Sequence, residues 1–284
     1  MNKWTIAVAQ IDTAVGDLKK NCTKHVEMLR RAKEGGADVV VFPELSLTGY
    51  SIKDLNWDLA LRTDDVSALS AIVGESDDCA ILCGGVEESA SYGIYNAAFL
   101  FEGGAVRSVH RKIYPPTYGM FEEARYFSRG TTVRAFDSAI GRIGVLICED
   151  LWHLSLPYLL ALDGAEVIIC IAASPTRLSG TDPNPQIAQV NSVQHQALAR
   201  LLSTYIVFCN RVGYEDGINF WGGSEIVTPS GDVQVRSKFF EEDLLFGEID
   251  MNDVRRARRL SRHFLDEDIS LVLKELTRIE RDHR

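Results

Sequence analysis

Three residues in this 284-residue chain carry groups that can break an acyl bond, and each follows an apolar run. Glu44 comes after VVVF (39–42), Lys112 after AVRSVH (105–110) and Cys148 after GVLI (144–147). A thiolate is a nucleophile, a carboxylate can carry its proton, and an ammonium can steady a developing oxyanion. In α/β folds, groups just past the carboxyl ends of strands converge in the ligand crevice. The neighbours of Cys148 pose a difficulty. Glu149 and Asp150 should raise the thiol's pKa and blunt its reactivity. Either Cys148 is inert packing, as a cysteine ending a buried strand commonly is, or a cation from elsewhere offsets the acids. Lys112 is the candidate for that cation.

The elements that must position these groups alternate along the chain. WTIAVAQI (4–11) reads as a buried strand. Residues 18–36 show a helical period, with Leu18, Cys22, His25, Val26 and Leu29 on one face and Gly35-Gly36 as the stop. A helical stretch near 64–75 precedes CAILCGG (79–85). YNAAFLF (95–101) and AVRSVH (105–110), joined through Gly103-Gly104, read as a hairpin. Residues 113–130 have no period and read as a long loop of the functional kind. Then follow strands at 133–136 and 140–147, a helix near 155–163, a strand at 166–173 and a helix over 184–203. Strands at 205–209, 224–228, 233–236 and 244–249 lead into a charged, helical tail. Hairpins mixed with βα units predict one α/β domain over 1–284, a mixed-sheet or two-sheet arrangement with helices outside, and residues 250–284 as a tail.

Composition narrows the class. The chain is 46% hydrophobic and 25% charged, with a net charge of -10. That balance argues against nucleic acid or an anionic membrane surface as the main partner. No run reaches the roughly 18 apolar residues of a membrane span. Six cysteines without an export signal predict free thiols in a cytoplasmic protein. Cys79 and Cys83 lie in an apolar strand without a ligand pattern around them, so no metal is expected. Cys170 and Cys209 sit in strand-like runs and read as core. VRRARRLSRHF (254–264) is a basic helix whose composition suits a solvated face or a dimer arm better than an anion site.

FPELSLTGY (42–50), RKIYPPTYGMFEEARYF (111–127) and GVLICEDLWH (144–153) resemble the three signature regions of the nitrilase superfamily of carbon-nitrogen hydrolases. The resemblance implies an αββα sandwich, with Glu44 as general base, Lys112 as oxyanion stabiliser and Cys148 as nucleophile. It also implies a supporting role for Glu123 in the lysine loop, no cofactor, and a homodimer or larger homo-oligomer with the tail at the interface. PTYGMFEEARYF, CEDLW and ASP (173–175) are most similar to the glutaminase domain of glutamine-dependent NAD synthetases. That branch implies substrate contacts from Tyr118, Glu149 and Ser174, with Trp152 beside them. These 284 residues contain no Ser-Gly-Gly-x-Asp-Ser loop for ATP, so the expected activity is hydrolysis of a small-molecule amide with release of ammonia. The alternatives are a glutaminase subunit feeding a separate synthetase, an acyltransferase using an amine in place of water, or a non-catalytic binding protein on the same fold. His153, five residues after Cys148, invites a Cys–His pairing, but the Glu-Lys-Cys chemistry needs no histidine. It is expected to line the pocket or cap a helix.

Overall fold

The computed structural model describes residues 3–176 and 185–283. Two six-stranded sheets lie face to face. In order, the first contains Asp243–Asp250, Lys3–Gln10, Val39–Val41, Ala80–Glu88, Ile94–Glu102 and Ala105–Arg111. The second contains Val233–Arg236, Glu225–Val227, Tyr205–Asn210, Val167–Ala172, Gly141–Ile147 and Phe136–Ser138. Side-chain alternation explains why the sheets pair. Ile6 and Val8 of the first strand meet Ile143, Val145, Ile147, Ile169 and Val207 in the core between the sheets. Ala7 and Ala9 face outward to Met28 and Leu29 of the helix Leu18–Glu34. On the far side Leu146, Ile168 and Cys170 pack on Leu156 and Leu160 of the helix Ser155–Leu162 and on Leu198 and Leu202 of the helix Gln186–Leu202. Each fully buried aliphatic side chain contributes about 1.5–3 kcal/mol. The layer order is helices, sheet, sheet, helices, the αββα sandwich that the family resemblance implies.

The parallel pairings direct three chain exits to one end. Val39–Val41 runs parallel to Lys3–Gln10 and to Ala80–Glu88. Gly141–Ile147, Val167–Ala172 and Tyr205–Asn210 are mutually parallel. Glu44, Cys148 and Ser174 therefore lie just past strand ends. Lys112 follows the hairpin strand Ala105–Arg111, whose turn uses Gly103 and Gly104, both at positive φ.

Several sequence boundaries shift. The expected strand at 133–136 lies at Phe136–Ser138, because its antiparallel register with Gly141–Ile147 pairs Ser138 with Gly141 across a tight turn. The helix expected over 184–203 is Gln186–Leu202, and residue 184 lies outside the described residues. The helical stretch near 64–75 is three short turns around Ser70–Val73. A small third sheet, of Val212–Glu215, Ile218–Trp221 and Pro175–Thr176, has no counterpart in the sequence reading. The tail forms two helices, Met251–Leu260 and Ile269–Asp282. No helix among the described residues is long and apolar enough to cross a membrane.

Gly84 fixes how closely the Glu44 turn approaches the first sheet. A Cβ there would lie 2.6 Å from the Pro43 carbonyl and 2.7 Å from Glu44 Cα. Gly84→Ala is expected to lower the unfolding free energy by about 3 kcal/mol. Gly74→Ala, whose Cβ meets nothing within 4 Å, should stay within about 0.5 kcal/mol of wild type. Urea unfolding checks both, and equal effects would contradict the packing argument.

Candidate active site

The strand Val39–Val41 ends in Phe42-Pro43, and the chain turns sharply at Glu44 and Leu45. Leu45 has φ 49°, a left-handed conformation that a branched side chain adopts only when its surroundings enforce it. Leu47 N donates to the Gly84 carbonyl at 3.0 Å, which ties the turn to the sheet. The turn pushes the Glu44 carboxylate into the interior. Its Oε2 accepts from Ala173 N at 2.7 Å. Its Oε1 accepts from Lys112 Nζ at 2.7 Å and from Asn96 Nδ2 at 2.7 Å.

Lys112 reaches the same place from the hairpin. Its own N–H donates to Asn96 O at 2.9 Å and its carbonyl accepts from Gly130 N at 2.7 Å, so backbone bonds on both sides fix the side chain's origin. Nζ also donates to Glu123 Oε1 at 2.7 Å. Glu123 starts the short helix Glu123–Tyr126, and its Oε1 accepts a second bond, from Tyr50 Oη at 2.6 Å. Glu44, Lys112 and Glu123 are 1%, 1% and 5% exposed. The result is one buried ammonium between two buried carboxylates.

Burial alone would push the Lys112 ammonium down, but Glu123 and Glu44 outweigh it and hold its pKa well above the ordinary lysine value. Burial raises the Glu123 carboxyl to about 7, against the pull of Lys112, and the charge of Glu44 adds to the rise. Two acids around one cation leave one of them readily protonated.

Cys148 begins the 3-10 turn Cys148–Trp152 at φ 47°. A non-glycine residue held there costs on the order of 1–3 kcal/mol. Burial and then the Glu44 charge push its thiol well above the usual cysteine value, while Lys112 pulls it down. The two acids next in sequence are not among the largest influences on the thiol. Asp150 turns inward, where Oδ1 accepts from Ile113 N at 3.0 Å and Tyr114 N at 2.9 Å. Its Oδ2 accepts from Ile147 N at 3.2 Å and lies 3.2 Å from His110 Nε2. One carboxylate thus joins the backbone just after Lys112 to the backbone just before Cys148. Glu149 turns outward, and its Oε2 accepts from Tyr118 Oη at 2.7 Å. Of the acids, Glu44 raises the thiol most, and Glu123 adds to it.

A pocket of about 470 Å³ opens over Cys148. Tyr118, Glu149, Trp152 and Ser174 all line it, so the residues expected to touch substrate share one cavity. Tyr118 is 56% and Trp152 45% exposed, which puts them at the rim. Ser174 is fixed from behind. Its Oγ accepts from Trp221 Nε1 at 3.0 Å and its N–H donates to Asn210 Oδ1 at 2.8 Å. His153 is no partner for the thiol. It stacks on Tyr114 with centroids 3.4 Å apart, and its Nε2 stands 3.6 Å from Glu149 Oε1. Among the described residues no group of three His, Cys, Asp or Glu could hold a metal.

Asn96, Tyr50 and Asp150 were missed as site residues. Asn96 had a readable signal, a lone polar side chain within the apolar run YNAAFLF. Tyr50 and Asp150 had none, because only the fold brings them to Glu123 and Ile113.

The family model for carbon-nitrogen hydrolases matches residues 5–259. The glutamine-dependent NAD(+) synthetase of Acinetobacter baylyi is 30% identical over 283 residues, covering 100% of this chain and 51% of that protein. The chain thus spans about half the length of the curated relatives it matches. In fold, a carbon-nitrogen hydrolase from Helicobacter pylori G27 superposes with TM-score 0.86 at 23% identity, over 97% of this chain and 98% of that one. The amidase from Nesterenkonia sp. AN1, solved as a variant with an acetamide moiety on its active-site cysteine, gives TM-score 0.79 at 21% identity, over 95% and 96%. This chain belongs to the carbon-nitrogen hydrolase family and is an enzyme of carbon–nitrogen bonds.

The raised Glu123 pKa carries a stability consequence. Between pH 4.5, its ordinary value, and about 7, the unfolded carboxyl ionises while the folded one keeps its proton. The stability it contributes is fully present below the lower value and is lost as pH rises through the upper one. Glu123→Gln removes this titration. The stability of wild type relative to Glu123→Gln should therefore fall by roughly 1–3 kcal/mol between pH 4.5 and 7.5. Denaturant unfolding across that range checks it, and a pH-independent difference would contradict the assignment.

Proposed function

We propose that this enzyme hydrolyses a small-molecule amide through a thioester on Cys148. The observation that carries the reading is the Lys112 ammonium, hydrogen-bonded at 2.7 Å to both Glu44 and Glu123 and acting electrostatically on the Cys148 thiol. Glu44 takes the thiol proton as sulfur attacks the amide carbon. The oxyanion formed lies against Lys112 and the Glu149 N–H, one of the first-turn amides of Cys148–Trp152 that a 3-10 turn leaves without an internal acceptor. Collapse of the tetrahedral intermediate breaks the C–N bond. Glu44 returns its proton to the departing nitrogen, and ammonia leaves. Water then gives a proton to Glu44 and attacks the thioester, which releases the carboxylic acid and restores the thiol. Glu123 keeps Lys112 aimed at the oxyanion position.

The acyl side of the substrate meets Tyr118, Glu149, Trp152 and Ser174. Glu149, held by Tyr118, suits a cationic group on the acyl chain, since a carboxylate facing a closed site favours a partner. This feature supports a second reading, in which glutamine is the substrate and the ammonia passes to a separate synthetase. The relative from Acinetobacter baylyi is a glutamine-dependent NAD(+) synthetase. We favour the stand-alone amidase. An amine in place of water would make the same site an acyltransferase, and a non-catalytic binding role has no use for the buried triad.

We further read residues 1–284 as one folding unit that works in the cytoplasm, its six cysteines unpaired, as a homodimer or larger assembly. The helix Ile269–Asp282 buries none of its residues, and Leu271, Leu273 and Leu276 are 54–60% exposed. A second copy is the expected cover for this face, so sedimentation of a single 31.6 kDa species would remove that reading.

Ammonia release from glutamine, asparagine, short aliphatic amides, ω-amides and N-carbamoyl amino acids tests the function. Wild type should release ammonia from at least one, and Cys148→Ala should lose at least about 10⁴-fold. Glutamine alone would identify the glutaminase subunit, and another amide the stand-alone amidase. Acylation of Cys148 with release of a single equivalent of ammonia and no further turnover would favour the transferase. Equal behaviour of mutant and wild type throughout would contradict the mechanism.

A further inference from the structure

The turn that carries Glu44 is under strain at Leu45, yet its carboxylate must keep a set depth to meet Lys112. On the sheet side, Phe42 N donates to Leu82 O at 2.7 Å, Leu47 N donates to Gly84 O at 3.0 Å, and Gly84 lies directly under Glu44 Cα. These contacts limit the turn from below. On the other side stands the helix Leu18–Glu34, which presents two buried polar residues to the turn. Asn21 Nδ2 donates to Leu47 O at 2.9 Å. His25, fully buried, has its Nδ1 2.7 Å from Asn21 O and its Nε2 3.0 Å from Ser46 Oγ.

The partners fix the tautomer. A carbonyl oxygen only accepts, so Nδ1 carries the proton and Nε2 is bare. The Ser46 hydroxyl must then donate to Nε2. The imidazole also packs on Phe42, with centroids 4.2 Å apart. His25 therefore touches the residues two before and two after Glu44. A histidine of this kind is expensive to bury unless both nitrogens are satisfied, and here the second partner is the turn itself. Burial lowers its pKa to about 4, so the neutral form persists above that pH.

We infer that His25 and Ser46 are positioning residues for Glu44, forming a strut from the first helix that holds the Glu44 carboxylate at the depth where it meets Lys112. This rests on the reading of Glu44 as the proton carrier. It goes beyond that reading by assigning function to two residues that touch neither substrate nor thiol. Without the strut the strained turn relaxes, and Glu44 moves away from Lys112 and Cys148. Two consequences of opposite sign follow. Proton transfer worsens, so amide hydrolysis slows. The negative charge that raises the thiol recedes while Lys112 remains, so the Cys148 thiolate forms at lower pH.

The test uses the full-length protein and two readouts. One is kcat for the amide that wild type turns over fastest. The other is the midpoint pH of Cys148 alkylation by iodoacetamide, followed by peptide mass. For Ser46→Ala, kcat should fall about tenfold with KM within about twofold, and the alkylation midpoint should fall by about half a pH unit or more. His25→Gln, which cannot reach both partners, should do the same and serves if Ser46→Ala does not fold. Glu44→Gln marks the limit of both effects. Loss of thermal stability with both readouts unchanged would overturn the strut, as would a parallel loss of hydrolysis and alkylation. If Glu44→Gln itself hydrolyses the amide at the wild-type rate, the proton-carrier reading fails and takes the strut with it.

Discussion

One ammonium, Lys112 Nζ, is shared between two buried carboxylates, and much of the surrounding architecture serves to keep it there. A buried ion pair broken on one side costs about 3–5 kcal/mol, so the three groups must arrive together or not at all. Glu44 comes from a parallel strand of the first sheet, Lys112 from the exit of a hairpin in the same sheet, and Glu123 from the loop that follows. Asn96 crosses between them, donating to Glu44 at 2.7 Å and to Glu123 at 3.4 Å. The second sheet contributes Ala173 N to Glu44 and brings Cys148 to the charged group. The face-to-face pairing of two sheets is therefore a requirement of the site. A single sheet would present the acids or the thiol, but not both across one cavity.

The charge balance also answers what the sequence around Cys148 poses. Two adjacent acids should suppress a thiol, but successive residues of a tight turn point in different directions. Asp150 is spent on three backbone N–H groups and His110. Glu149 points to Tyr118 and the pocket. Lys112 does offset a carboxylate near the thiol, as the sequence suggests, but that carboxylate is Glu44. A thiol held protonated until a substrate arrives is protected from casual oxidation and alkylation, because the thiolate is the reactive form.

Much of this could be read in the chain, for physical reasons. Apolar runs of four to eight residues with β-branched side chains marked the inner strands, and Gly103-Gly104 marked the hairpin. Glu44, Lys112 and Cys148 each follow a strand that is legible from its own residues. The failures are equally specific. The edge strand Phe136–Ser138 was displaced because its register is set by a partner rather than by its own pattern. The sheet containing Pro175–Thr176 is too short to leave a period. Buried polar connectors such as Tyr50, Asp150 and His25 carry no local mark, since the partners that define their role lie 21 to 73 positions away. His25 sits on the apolar face of its helix and reads there as core, until its two nitrogens are traced.

The most direct test of this account is the mass of Cys148 in wild type quenched with acid during turnover of a hydrolysable amide. The thioester links the two half-reactions and Glu44 serves both, so Glu44→Gln should show neither the acyl group nor turnover. The predicted result is an acyl increment, the amide minus ammonia, on the peptide containing Cys148, and its absence from Cys148→Ala. An unmodified Cys148, or the same increment on another of the six cysteines, would contradict it.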